Sequence, residues 1–459
     1  MPLLAFYEKH YLRLLKGVAA AAACGALFFA GYVKGSPSSA MAVVESLSSY
    51  AAGVLKAAWE QTADSRPVHF LQPSRKPGEG VTVNDVPQRA DLVLLTGFFD
   101  DDPGLRLIRR DGTVVASWPA AFSRLMPERL EKPGAPETDW NVDLHGSHVD
   151  PDGSVLFNFE YQGTVKLDRC GKRLWSLQEF NHHTLSAATG GGYWIGGRRI
   201  INRPDDPAFR PMTNPKRERG RIEDDEILRV SADGEVLARK SVFEIMMENG
   251  LEPLLTATGM MLGRDALDDN EILHLNKIDE LTPAMAAAFP EFAAGDLVLS
   301  LRDYNLVMVV RPSDWSLRWH STGPWLRQHS ARFLPDGRIG VFNNNNYHFV
   351  LLANDKSDLS VPDISNVLAV DPATGQSEIL YGDREGEVLE SVVRGAIQPL
   401  PDGGILVTET EGGRAFQIDR ARNIVWEYIN RYDAESVIEM TTAEAYPRAY
   451  FTVTDWSCP

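Results

Sequence analysis

Short apolar runs, most of them opened by glycine and separated by tight turns, recur along the chain from about residue 90 to about residue 430. The first half of the repeat is one such strand, found at 90–97, 152–160, 191–199, 295–303, 336–344 and 402–410. The second half is an apolar run ending in a polar residue, then a turn and another apolar run. Its six copies include Leu107-Ile108-Arg109, Lys166-Leu167-Asp168, Arg229-Val230-Ser231, Val309-Val310-Arg311, Ala369-Val370-Asp371 and Gln417-Ile418-Asp419. Four of them close on an aromatic at nearly the same offset, Trp118, Trp175, Trp319 and Trp426, placed to pack between neighbouring repeats. Paired hairpins at a period near 60 residues predict an all-β fold, a six-bladed β-propeller of four-stranded blades. The competing architecture is a two-domain β protein with chance similarity among its strands, and six matched pairs in strict alternation argue against it.

Two stretches interrupt the pattern. Residues 199–225 are charged and proline-punctuated and predict a long surface loop. Residues 243–268 and 280–292 carry apolar residues at helical spacing, with Pro283 and Pro290 bounding the second. Ahead of the repeats, residues 17–33 contain no charge and follow Arg13 and Lys16, which predicts an N-terminal transmembrane helix. The expected organisation is a cytoplasmic N-terminus over 1–16, an anchor or signal segment over 17–33, a juxtamembrane helix and linker over 34–66, and the propeller over 67–459. At 1.5 Å per residue the apolar run spans about 25 Å, which suits either an anchor or a long signal-peptide core. Ala40-Met41-Ala42 offers a cleavage site, whereas the helical stripe Val44, Leu47, Ala51, Val54, Leu55 and Ala58 favours an uncleaved anchor. The charge rule then places the propeller in the periplasm, on a single-pass inner-membrane protein.

The formal charge of −17, with no basic stripe interleaved with aromatics, argues against nucleic acid as a partner. Three cysteines are too few for a disulfide framework, and none lies in a Cys-x-x-Cys arrangement. Cys170 and Cys458 are available to pair in an oxidising compartment.

Histidine placement carries the candidate chemistry. His145, His183 and His329 each lie eight residues before the glycine of their repeat, Gly153, Gly191 and Gly337. Equal offsets in repeats arranged about an axis bring the imidazoles together there. His274 lies 21 residues before Gly295, the helical insert accounting for the excess. The seventh residue after each glycine is polar, namely Glu160, Arg198, Arg302, Asn344 and Thr410, so these strand ends are expected to face a hydrated central funnel. His145, Arg198 and Asn344 are candidate substrate contacts on that ground. His10, His69, His148, His320 and His348 share no offset and are read as ordinary histidines.

From about residue 90 to residue 450 the chain resembles the arylsulfate sulfotransferase family. The resemblance rests on His182-His183, the His-x-Asn-x-Ile-Asp segment at 274–279, Gly-Asp-Leu-Val-Leu-Ser-Leu-Arg at 295–302, and Gln-His-Ser-Ala-Arg-Phe-Leu-Pro-Asp-Gly at 328–337. The family moves a sulfuryl group between phenols without a nucleotide sulfate donor, and the resemblance implies an aryl sulfate and a phenol as substrates, with no cofactor and no metal. It also implies that His329 is transiently sulfated, that Arg302 and Asn276 hold the sulfuryl oxygens, and that His183 and His274 assist proton movement. Each role suits the residue type: a neutral imidazole is a nucleophile near pH 7, and a guanidinium matches an array of oxygens. Thr184 and Ser330 stand where the family often carries an acid, and its closely spaced cysteine pair is missing. Two further readings stay open, a propeller hydrolase holding a divalent ion on His145, His183, His274 and His329, and a non-catalytic periplasmic scaffold.

Overall fold

The computed structural model describes residues 70–127, 139–201, 222–257, 273–345 and 365–458. Within them lie a two-stranded sheet of Leu71–Pro73 and Ser436–Ile438 and six larger antiparallel sheets, each with four strands in simple meander order, one of these being extended by a fifth strand. Blade 2 comprises Leu144–Val149, Val155–Phe159, Gly163–Leu167 and Arg173–Leu177. Blade 3 comprises Leu185–Ala187, Tyr193–Ile201, Ile222–Val230 and Val236–Ser241. Blade 4 comprises Leu275–Glu280, Leu297–Leu301, Leu306–Arg311 and Ser316–Ser321. Blade 5 comprises His329–Phe333, Ile339–Asn343, Asn366–Val370 and Ser377–Tyr381. Blade 6 comprises Ala396–Pro399, Ile405–Glu409, Arg414–Ile418 and Ile424–Ile429, with Gly80–Asn84 added outside. Blade 1 joins both ends of the ring: Leu92–Phe99, Asp102–Arg109 and Val114–Pro119 receive Met440–Tyr446 as their first strand. The first strands touch one another in a closed ring of six, so the fold is the six-bladed propeller that the repeats predict.

Burial explains why the second and third strands of each blade read so clearly. Val155–Phe159, Leu297–Leu301 and Ile405–Glu409 are buried at every position, because each sheet is covered on both faces by its neighbours. An apolar cluster fills each of the six gaps between blades, Val155 and Leu105 packing together between blades 1 and 2, and Val298 and Val341 between blades 4 and 5. Each such side chain contributes about 1.5–3 kcal/mol on full burial. The repeated tryptophans lock the rim as well as filling it. Trp118 donates its indole N–H to the Asp168 carbonyl of the next blade at 3.2 Å, Trp175 to Ala232 at 3.0 Å, and Trp426 to Arg110 at 2.9 Å.

Two expectations change. Residues 199–201 and 222–225 are strand rather than loop, part of nine consecutive pairs between Tyr193–Ile201 and Ile222–Val230. Their charges are tolerated because they pair: Arg198 with Glu223, Arg199 with Asp224 and Arg239 with Glu226. The stretch 280–292 is not a helix but turns and a single 3-10 turn at Ala286–Ala288, its two prolines leaving too little chain between them. The earlier insert holds the helices Val242–Glu248, capped by the Ser241 hydroxyl, and Glu252–Ala257, while 258–272 lie outside the described residues. The segments expected over 1–16, 17–33 and 34–66 also lie outside them, and among the described residues no helix is long and apolar enough to cross a membrane.

Candidate active site

At the axis the first strands are not regular. Their registers shift between His145 and Ser147, Leu275 and Lys277, His329 and Arg332, and Met440 and Thr442. A bulge turns side chains out of the sheet, and here it delivers the histidines to the centre. His183 and His274 adopt left-handed backbone conformations, with φ of 48° and 57°, a cost that ordered sites retain when geometry depends on it. Gly146 permits the approach of blades 2 and 3, since a Cβ there would lie 2.4 Å from the His183 carbonyl oxygen.

Four imidazoles meet, His145, His183 and His329 as their equal offsets predict, and His274 with them. Ring centroids are 4.5 Å apart for His145 and His183, 4.4 Å for His183 and His274, 6.1 Å for His274 and His329, and 6.3 Å for His183 and His329. His145, His183 and His329 line a central cavity of about 60 Å³ together with Lys277, Arg332 and Arg394. His274 and Arg302 stand beside it, with the Arg302 N–H donating to the His274 carbonyl at 3.1 Å.

The residues at the seventh position sit behind the histidines and set their protonation. Asn344 donates its amide N–H groups to the carbonyls of Ser391 (2.8 Å) and Arg394 (2.5 Å), which turns Oδ1 toward His329 Nδ1 at 2.7 Å. Nδ1 must then carry the proton, and the lone pair is at Nε2. Burial, then His274 and Arg302, push the His329 pKa well below the ordinary imidazole range. His183 follows the same logic through a relay. His182 directs Nε2 at Asp225 (3.2 Å) and at the Gly197 carbonyl (3.3 Å), so its Nδ1 accepts from His183 Nδ1 at 3.2 Å. The His183 lone pair is left at Nε2, and burial followed by the neighbouring imidazoles hold its pKa well below the usual value.

His145 is different in kind. Its ring nitrogens face Glu160 at 3.4 Å and Asp143 at 3.8 Å, and against burial these carboxylates raise its pKa. Burial pushes Asp143 up to about 7, while Glu160 is held low by His145 in spite of burial. The ring therefore contains two imidazoles kept neutral and one drawn toward its cation.

Arg198 and Asn344 do not line the cavity, unlike the substrate contacts expected from the repeat. Arg198 is buried against Glu223 (2.5 Å) and Asp225 (3.1 Å), where it holds the carboxylate that faces His182. Asn344 is spent on His329 and two carbonyls. Asn276 lines the cavity and donates to the Gln328 carbonyl at 2.8 Å, fixing the segment that carries His329. Arg302 donates from Nε to Asp303 at 2.9 Å, and its side chain is partly exposed. Lys277, Arg332, Arg394 and Glu444, all on the cavity wall, are not among the residues that the sequence singles out. One signal for them exists, because Lys277 and Arg332 each stand three residues after a site histidine, His274 and His329. Two sets of side chains could hold a metal ion by their spacing, His183 with His274 and His329, and His145 with Glu160 and His183, the ligand atoms of each lying within 4.8 Å of one another.

Among solved structures, a protein of unknown function from Bacteroides caccae is similar over 77% of this chain and 99% of its own, at 14% identity and a TM-score of 0.45. Virginiamycin B lyase from Staphylococcus aureus is similar over 79% of this chain and 89% of its own, at 10% identity and a TM-score of 0.38. No curated protein matches the chain at a significant level. The profile of the arylsulfotransferase (ASST) family matches residues 147–431, which take in every site histidine except His145, together with Asn276, Arg302 and Asn344. The chain belongs to the arylsulfotransferase (ASST) family.

Proposed function

We propose that the protein transfers a sulfuryl group from an aryl sulfate to a phenol through a sulfated His329, without a nucleotide sulfate donor. The observation that carries this reading is the contact between Asn344 Oδ1 and His329 Nδ1 at 2.7 Å, which leaves Nε2 as a buried, uncharged nucleophile. In the first half-reaction the Nε2 lone pair forms an N–S bond, the ester S–O bond breaks, and its electron pair leaves on the phenolate oxygen. In the second, the acceptor oxygen attacks sulfur, its proton passes to a neighbouring base, and the N–S pair returns to His329. His183 Nε2 is a fitting base, backed by His182 and Asp225, and Arg302, beside the cavity next to His274, adds positive charge that favours the sulfuryl oxygens as they become more negative.

This mechanism predicts ping-pong kinetics. With an aryl sulfate and no acceptor, about one equivalent of phenol should appear in a burst, and the peptide containing Gln328-His329 should gain one acid-labile sulfuryl group. His329→Asn should abolish both, and an adduct that survives this substitution would overturn the assignment. The second reading, a divalent ion on His183, His274 and His329, is favoured by the convergence of their ring nitrogens. Stoichiometric zinc in purified protein, with activity lost on chelation and restored by metal, would establish it instead.

We also read residues 17–33 as an anchor that leaves the propeller in the periplasm. The bond between Cys170 and Cys458, whose Cα atoms are 5.6 Å apart, supports an oxidising compartment. Fractionation of the full-length chain with membranes, and protease access from the periplasmic side alone, are the expected results.

A further inference from the structure

Three basic side chains line the central cavity, and two of them are neutralised. Arg332 is held by Glu444 and by Asp279, the latter at 3.4 Å. Arg394 is held by Asp143 and by Glu439, the latter at 2.9 Å. Lys277 differs: it is 7% exposed, and among the described residues its side chain makes no hydrogen bond and no ion pair, Asp279 and Glu444 acting on it only at longer range while bound to Arg332. An ammonium taken out of water without a partner costs several kcal/mol. Such a group persists where it sheds its proton or where a ligand supplies the missing anion. Burial, reinforced by Arg332, lowers the Lys277 pKa to about 8, which still leaves the side chain mostly charged at neutral pH.

Its position is as informative as its lack of a partner. Lys277 follows the bulge of the first strand of blade 4 and pairs with Ser300, two residues before Arg302. It stands three residues after His274, as Arg332 stands three after His329, and it lies at a different level of its blade, paired with Ser300 where Arg332 pairs with Gly340. Arg302 is not on the cavity wall, whereas Lys277 shares that wall with His183 and His329.

We propose that Lys277 is the oxyanion contact of the central cavity and takes the sulfuryl oxygens that Arg302 does not reach. The ligand class is a sulfate monoester, and inorganic sulfate presents the same oxygens. The role rests on the sulfuryl-transfer reading, but the ability to bind an oxyanion does not depend on turnover.

Two substitutions in the full-length protein test this, Lys277→Met, which keeps the aliphatic length, and Lys277→Arg, which keeps the charge. In wild type, titration calorimetry with sodium sulfate at constant ionic strength should show one site. Lys277→Met should lose that binding and lower kcat/KM for an aryl sulfate by about 10²-fold, the scale of one lost oriented donor. Lys277→Arg should recover both to within about tenfold. Thermal unfolding of Lys277→Met should be no lower than that of wild type, because an unpaired buried charge has been removed. Sulfate affinity and kcat/KM unchanged in Lys277→Met would overturn the proposal, as would a wild type that binds no sulfate. If wild type binds sulfate through Lys277 but turns over no aryl sulfate, the oxyanion site stands and the His329 mechanism falls.

Discussion

The Thr184 hydroxyl accepts the backbone N–H of Ile278 at 2.9 Å, tying the first strand of blade 3 to that of blade 4. Ser330 does the same for Ile397 at 3.1 Å, between blades 5 and 6. These are the two positions at which the chain departs from the acidic residues common in its family. Here they act as stitches between inner strands, each one residue after a site histidine.

Thr184→Val and Ser330→Ala should therefore act first on stability. Each leaves a buried N–H without its acceptor, a loss of about 1–3 kcal/mol. Chemical denaturation measures this directly, and the sulfation burst should survive in both variants at permissive temperature. A burst abolished in a variant that remains fully folded would give the hydroxyl a chemical role.

Asn344 bears on chemistry without touching the cavity. Asn344→Leu removes the acceptor that keeps the proton on His329 Nδ1, and the ring can then present N–H instead of a lone pair to sulfur. The burst rate should fall by about 10²-fold or more while KM for the donor changes little. Equal losses in binding and turnover would instead indicate general disruption of the site.

The low pKa values of His183 and His329 fix the sign of the pH dependence. Both lie below the free imidazole value, through burial first and neighbouring charge second, so the neutral rings persist as pH falls through about 6.5. The burst rate should stay level from about pH 7 down to about 6.5 and decline in more acid solution, while discharge of Lys277 near pH 8 lowers it on the alkaline side. The same depression lowers folding stability as pH drops through about 6.5, because the unfolded chain takes up those protons first. Asp143 and Asp224, pushed up to about 7 by burial, act in the opposite direction: their contribution is full at low pH and fades as pH rises toward 7. Rapid-quench rates between pH 4.5 and 8 are the discriminating measurement, and an acid limb centred at or above the free imidazole value would refute the neutral-nucleophile assignment.

Arg302→Lys keeps the charge and loses the planar fork along with the Nε contact to Asp303. Turnover should fall by about 10²–10³-fold with little change in thermal stability, the side chain being partly exposed. Full activity in this variant would remove Arg302 from the mechanism.

The equal offsets of His145, His183 and His329 predict the meeting of the rings because repeats related by rotation place equivalent residues at equivalent radii. The second and third strands were legible for a related reason: they are sandwiched between sheets and written almost wholly in apolar residues. First strands were harder to see. They are bulged, they face polar space, and sequences such as Leu144–Val149 or Leu275–Glu280 lack regular alternation. The acids at 223–226 look like a solvated loop because their partners, Arg198, Arg199 and His182, lie on another strand or blade edge. Pairing across a sheet cannot be read from local charge. The same holds for Lys277, because the commitment of Asp279 and Glu444 to Arg332 exists only in the assembled cavity wall.

Met440–Tyr446, the strand that completes blade 1 against Leu92–Phe99, also carries Thr441, Thr442 and Glu444 of the cavity wall. Biogenesis is thereby coupled to competence. Until Met440–Tyr446 has been made, Leu92–Phe99 presents a bare, largely apolar edge, and the chamber around the histidines stands open on one side. A chain cut ahead of Met440 therefore loses at one stroke the partner of that edge and one side of the histidine chamber.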